Sequence, residues 1–360
     1  MGNVLLALSI LDPLYSLFGI VIRFILQVFN NYGVAIILFT ILIRMLLLPF
    51  NVKQHKSSLQ QRALNPQLQE LKRYYGDDQQ GYSQAQMELY KKHKISMFGG
   101  CLPALLQLVL IWPVYRIISG PLFYIMQIPE ANLQEISRML VDANMLHESA
   151  IRNIRMTNIP ILQGLIEAPQ VFAEAVNRGL MNASDLINLD FLGLNLGLTP
   201  TISPAKLFGA EMATYLPLLL LPLLATGTTI FQSWYSQKTM KTDIGGGINK
   251  EKVKNNPALQ GQEKTEDMAG QSMKTMLYVM PIMTLFFTFS MPAAMSLYWI
   301  VGNFLAIFQV WLFDTIYTKP MASRQAESDA QYEAEIMSRV KQETKRIEDD
   351  QPKKKRRKKN

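Results

Sequence analysis

Arg44 is the residue whose type and position promise the most chemistry. It interrupts an apolar run, YGVAIILFTILIRMLLLPF at 32–50, and lies ~9 Å in from Phe50 if the run is helical. An arginine at the centre of a bilayer costs about 2.5–3.5 kcal/mol or more, and it does not escape by losing its proton, so by default it faces water or a partner. None of the long apolar runs contains an Asp or Glu, and Asp314, at the end of the last run, is the nearest acidic candidate. The missing counter-ion favours a water-filled cavity. Polar side chains in other runs suit its walls: Thr228, Thr229, Gln232 and Ser233 cluster in one run, Ser296, Trp299 and Asn303 recur on one face of another, and Gln107 adds an amide. Taken singly, each is an ordinary helix-to-helix hydrogen-bonding residue. Only the combination with an unpaired arginine points to a site.

Other chemistry is scarce. One cysteine, Cys101, cannot form an internal disulfide, and three histidines give little material for zinc. There is no P-loop, no HExxH, no acidic pair in an apolar run and no histidine near a serine there, so neither an enzyme nor a cofactor is expected. The last residues include Lys353, Lys354, Lys355, Arg356, Arg357, Lys358 and Lys359. Seven adjacent like charges stay solvated or find a polyanion, either ribosomal RNA or anionic lipid headgroups.

The elements that must position these residues follow from where charge is absent. Windows without any Asp, Glu, Lys or Arg occur at 95–115, 212–237 and 275–313. A water-soluble chain rarely shows that pattern, and about 20 apolar residues make one helical crossing of the bilayer. The spacing predicts spans at 32–50, 98–118 and 212–237. The longest window would make a rod of roughly 58 Å, about twice the hydrocarbon thickness, so it folds back at Met291-Pro292 into spans at 274–290 and 291–316. The flanking loops set the orientation. Segment 51–97 carries eight Lys/Arg against four Asp/Glu and tail 317–360 carries thirteen against eight, whereas 119–211 carries five against nine. The positive-inside rule then puts 119–211 and the N-terminus outside, with 51–97, the linker 238–273 and the tail 317–360 in the cytoplasm.

Within the N-terminal region 1–31, residues 14–29 are apolar but few, and Ser16, Gly19, Arg23, Gln27 and Asn30 form one polar stripe. That suits a helix lying in the interface, with a sixth span as the alternative. The start of the chain lacks the basic stretch and small-residue site of a cleaved signal. Segment 51–97 has apolar residues at helical spacing on both sides of Gly76-Asp77-Asp78, which reads as a helical hairpin with arms near 53–75 and 82–95. The external segment is helical and amphipathic over 130–188, then rich in Gly, Leu and Pro.

These motifs in combination resemble the YidC/Oxa1/Alb3 membrane protein insertases. They are Tyr32-Gly33 with Arg44 and Pro49, the hairpin ending Glu88-Leu89-Tyr90-Lys91-Lys92, Gly99-Gly100-Cys101-Leu102-Pro103 with Gln107, FLGLNL at 191–196, and Leu297-Tyr298-Trp299 with Gly302-Asn303. The resemblance implies an all-α polytopic membrane protein. Five transmembrane helices would surround a hydrophilic groove open to cytoplasm and lipid, beside an interfacial N-terminal helix and a cytoplasmic helical hairpin. By motif position Arg44 is similar to the groove arginine, Gln232 to its third-span polar partner and Trp299 to its fifth-span aromatic. The implied partners are nascent membrane proteins, the ribosome through the basic tail and cytoplasmic loops, a SecYEG-type translocon and the lipid bilayer. The implied active form is a monomer in a bacterial plasma membrane. Two departures stand out: Ser96-Met97 precedes the Gly-Gly where Asn-Pro is expected, and the external loop is long. A solute transporter or channel is the main alternative reading of the arginine, although no inverted repeat supports it. A passive ribosome tether acting through the tail is another.

Overall fold

The computed structural model describes residues 2–76, 78–93, 102–148, 154, 158–241, 279–324 and 327; the side chains of 2–12, 62, 65, 66, 69, 102–110, 240 and 241 are not described. The linker from 242, the junction before the second span and the basic residues Lys353 to Lys359 lie outside the described residues.

Helix α1 (Gly2–Phe29) runs through Pro13 and stops at Asn30, whose φ of 45° is the left-handed conformation that asparagine tolerates. Asn31 then caps the next helix, its Oδ1 accepting from the Val34 backbone N–H at 3.0 Å, and α2 (Tyr32–Ala63) begins. Pro49 lies inside α2 without ending it, so the first span continues directly into the hairpin. The break comes at Leu64, after which the Asn65-Pro66 start of α3 (Asn65–Tyr75) opens a new helix. Gly76, at φ 53°, turns the chain. Asp78 caps α4 (Gln79–Lys92) by accepting from the Gly81 N–H at 3.0 Å, and α3 and α4 pack together.

The segment expected as the second span contains α5 (Leu102–Ser119), followed by a turn of helix, α6 (Pro121–Tyr124). Three short helices then build a fold of their own, α7 (Glu130–Asp142), α8 (Ile159–Glu167) and α9 (Pro169–Asn177). Leu133, Ile136, Leu140, Leu162, Leu165 and Ala175 are almost fully buried there. Each large aliphatic in such a core contributes roughly 1.5–3 kcal/mol when water surrounds the fold. A two-strand hairpin follows, β1 (Asp190–Phe191) with β2 (Leu194–Asn195), turned by Leu192 and Gly193 at positive φ. Helices α10 (Pro204–Leu207) and α11 (Met212–Leu218) lead into α12 (Leu220–Lys241). The remaining helices are α13 (Val279–Ser290) and α14 (Ala293–Phe313), the latter continuing through a π-helical turn at Asp314–Thr318 as far as Arg324.

Three helices among the described residues are long and apolar enough to cross a membrane, covering Tyr32–Gln61, Met212–Thr239 and Ala293–Arg324. Shorter apolar helices occur at Pro13–Phe29 and Val279–Ser290. The outward faces are what lipid requires: Leu42, Met45 and Leu46 on α2, Leu223, Ile230 and Phe231 on α12, and Phe304, Phe308 and Trp311 on α14 are all exposed. Between spans the hydrophobic effect supplies no attraction, so close contact relies on small residues and interhelical hydrogen bonds. Helix α14 packs against both α2 and α12, with Ala225, Ala294, Ser296 and Gly302 buried.

Helix α1 lies against α2, with Phe18 and Phe39 edge to face at 5.3 Å between ring centres. Its polar stripe divides in the structure. Gly19 is pressed against the Tyr124 backbone, and Arg23 donates to the Met126 carbonyl at 3.4 Å and pairs with the buried Asp185 at 3.9 Å. The outward face is apolar, with Leu17, Ile20, Phe24 and Val28 exposed at helical spacing.

Candidate functional site

Arg44 stands one turn after Thr40, whose hydroxyl turns back to the Ile36 carbonyl at 2.6 Å and so leaves the arginine alone on its face of α2. The guanidinium reaches toward α14 at Gly302. A methyl group added to that glycine would lie 3.3 Å from an Arg44 terminal nitrogen. Tyr298, one turn earlier on α14, is within electrostatic reach. Arg44 is half-buried, and among the described residues it makes no ion pair and no side-chain hydrogen bond. Asp314 is engaged elsewhere, pairing with Lys319 at 3.4 Å. An always-charged group in a span, without a protein counter-ion, keeps its charge only where solvent or a visiting anion reaches it.

The polar residues expected to share a cavity fall into two groups. Asn303, Thr228 and Thr229 come together directly. The Asn303 Nδ2 donates to Thr229 Oγ1 at 2.8 Å and to Thr228 Oγ1 at 3.0 Å, with the Ala225 carbonyl at 3.4 Å, clamping α14 to α12. Gln232 stays half-exposed one turn beyond Thr228 and makes no side-chain hydrogen bond among the described residues. Trp299 is buried, its ring stacked on Phe287 of α13 at 6.4 Å, which joins α13 to α14. Gln107 belongs to α5, and its side chain is outside the description. Among the described residues no group of His, Cys, Asp or Glu is placed to hold a metal.

Opposite this half of the bundle, the FLGLNL segment ties the other end shut. Ala293 and Ala294, the first residues of α14, donate their backbone N–H groups to the carbonyls of Leu198 (2.8 Å) and Leu196 (2.9 Å). Helix starts leave such donors unpaired, and here the loop supplies the acceptors. The Asn31 amide donates to the Asp190 carbonyl at 2.9 Å, and the Tyr32 hydroxyl donates to the Ile118 carbonyl at 2.8 Å. Gly33 gives room for the Phe191 ring. The ends of α2 and α14 are thus fastened to one loop, and α5 is tied in turn to α2. Sequence reading did not find this lock, because its acceptors are backbone carbonyls with no residue-type signature; Tyr32-Gly33 and FLGLNL were visible only as separate motifs.

A family model described as 60Kd inner membrane protein matches residues 24–321. The chain belongs to that family. The match bears out the insertase resemblance, since similar proteins carry the name membrane protein insertase YidC. The one from Caldanaerobacter subterraneus is 44% identical over 100 residues, 28% of this chain and 48% of that protein. Those from Methylobacillus flagellatus and Hahella chejuensis are 46% identical over 94 residues and 41% over 109; these stretches cover 26% and 30% of this chain and 17% and 18% of theirs. The matched stretches therefore span about half of the first relative's length and under a fifth of the other two.

Proposed function

We propose that this family member is a membrane protein insertase and chaperone. It receives nascent membrane proteins in a hydrophilic groove within the inner half of the bilayer and releases their apolar helices into lipid. The observation that carries the reading is Arg44, a charge inside a span, beside Gly302, with no acid among the described residues to neutralise it. A partly hydrated groove lowers the desolvation cost of bringing a short polar segment into the membrane. Arg44 attracts acidic groups on that segment, since the Coulomb term grows several-fold as the local dielectric falls below that of water. The client helix then leaves along α12 and α14, driven by burial of its own apolar surface. No covalent step is involved.

In this reading five helices span the bilayer, α5 and α13 being the second and fourth, and α1 lies at the outer interface. The lock of 190–198 on α2 and α14 supports a groove closed on the outside. The loop 119–211 and the N-terminus are external, and α3, α4 and the tail are cytoplasmic, where the tail's Lys353 to Lys359 meet the ribosome or anionic lipid. The protein acts as a monomer, alone or beside a SecYEG-type translocon. Photocrosslinking tests the reading: a probe at Gln232 should capture an arrested client helix, whereas one at Phe24, on the outer face of α1, should not. Equal capture at both positions overturns it.

A further inference from the structure

At the loop end of the bundle a cavity of about 550 Å³ opens between α5, α13 and the external fold. Its walls are half apolar, with Ile159, Leu198 and Phe289 among them, and Lys206 is its only charged lining residue among the described residues. Two buried polar atoms of lining residues, the Ser119 hydroxyl and the Gln163 amide nitrogen, have no hydrogen-bond partner among the described residues. A buried donor left unpaired costs roughly 1–3 kcal/mol, so two around one cavity are an unmet demand for an acceptor. Lys206 completes the set. Its ammonium donates to the Tyr215 hydroxyl at 2.9 Å and pairs with Glu211 at 3.4 Å, and a lysine has three protons to give. The Tyr215 hydroxyl, itself lining the cavity, accepts from Lys206 and keeps its own proton to donate.

The surroundings say where the occupant comes from. An exposed apolar stripe, Phe208, Met212, Leu216 and Leu220, runs from beside Lys206 onto the lipid-facing side of α12. Cation, amide and hydroxyls above a hydrocarbon-facing surface match a phosphodiester at headgroup depth, with the apolar wall taking the glycerol and upper acyl chain. We propose that this cavity binds the phosphate headgroup of a phospholipid of the outer leaflet, held by Lys206, Gln163, Ser119 and Tyr215 where the gap between α5 and α13 meets the membrane surface. This rests on the external placement of loop 119–211 but not on Arg44.

The test uses the full chain, purified in detergent and titrated with phosphatidylglycerol, with bound lipid counted by native mass spectrometry. Wild type should retain one phosphatidylglycerol after the annular lipid is stripped. Lys206→Gln removes the cation and Thr199→Trp fills the mouth without touching a charge; each should weaken retention about tenfold, the size of one charge-assisted hydrogen bond. Unchanged melting temperatures show that the folds survive, and Thr199→Trp decides the matter if Lys206→Gln unfolds. Equal retention in all three proteins overturns the proposal. So does millimolar inorganic phosphate that binds alone and displaces the lipid, which would make this a free-anion site. Lipid is counted without any insertion assay, so this outcome is separable from the fate of the insertase reading.

Discussion

Arg44 and Asn303 are both polar residues in spans, yet the structure treats them oppositely. Asn303 spends its amide on two threonines of α12, whereas Arg44 makes no bond among the described residues. Their consequences under substitution should therefore separate. Asn303→Leu should destabilise the bundle, and a double-mutant cycle with Thr229→Val in detergent melts should return a coupling of about 0.6–1.7 kcal/mol, the span of such bonds between membrane helices. Arg44→Met removes no hydrogen bond or ion pair among the described residues and relieves a costly charge, so its melting midpoint should hold or rise while client insertion falls. A midpoint drop as large as that of Asn303→Leu would mean that Arg44 is structural. Residue types in the sequence were enough to single out both positions, but not to divide their roles. An asparagine in one apolar run and a threonine pair in another, 74 and 75 residues away, read the same whether they bond to each other or face water.

At the scale of elements, the long spans were legible because charge is so costly in hydrocarbon that its absence marks them. Helix α2 was less so: Pro49 looks like an end, but a single lost backbone bond is tolerated in a membrane helix, and the stop comes instead at Leu64 before Asn65-Pro66. The fold of α7, α8 and α9 was legible as helical but the lock beside it was not, since a hairpin of two residues per strand carries no periodicity. That lock makes a prediction. Gly193 sits at φ 78° with open space around its Cα, so Gly193→Val should strain only the backbone. The cost should be about 1–2 kcal/mol, seen as faster chymotryptic cleavage after Phe191, Leu192 or Leu194, whereas Gly193→Asn should be nearly silent. Equal cleavage rates for Val and wild type would show that the hairpin does not need its left-handed turn.

For the whole molecule, the proposed orientation rests on the charge asymmetry of the loops. In a Cys101→Ser background, single cysteines at Ile202 and Tyr74, both well exposed, should label with an impermeant maleimide from opposite faces of the membrane. Labelling of both from one face contradicts the topology. Deleting 351–360 should weaken ribosome-coupled insertion without abolishing it, because the groove remains; complete loss would favour a tether.

The most direct measurement compares two clients that differ only in an N-terminal tail, acidic or neutral, inserted into proteoliposomes by wild type, Arg44→Lys and Arg44→Ala. The acidic client should lose insertion about tenfold or more with Arg44→Ala, the worth of one charge interaction in a half-dry site. Arg44→Lys should keep most of it, and the neutral client should change little. Undiminished insertion of the acidic client by Arg44→Ala would contradict the account.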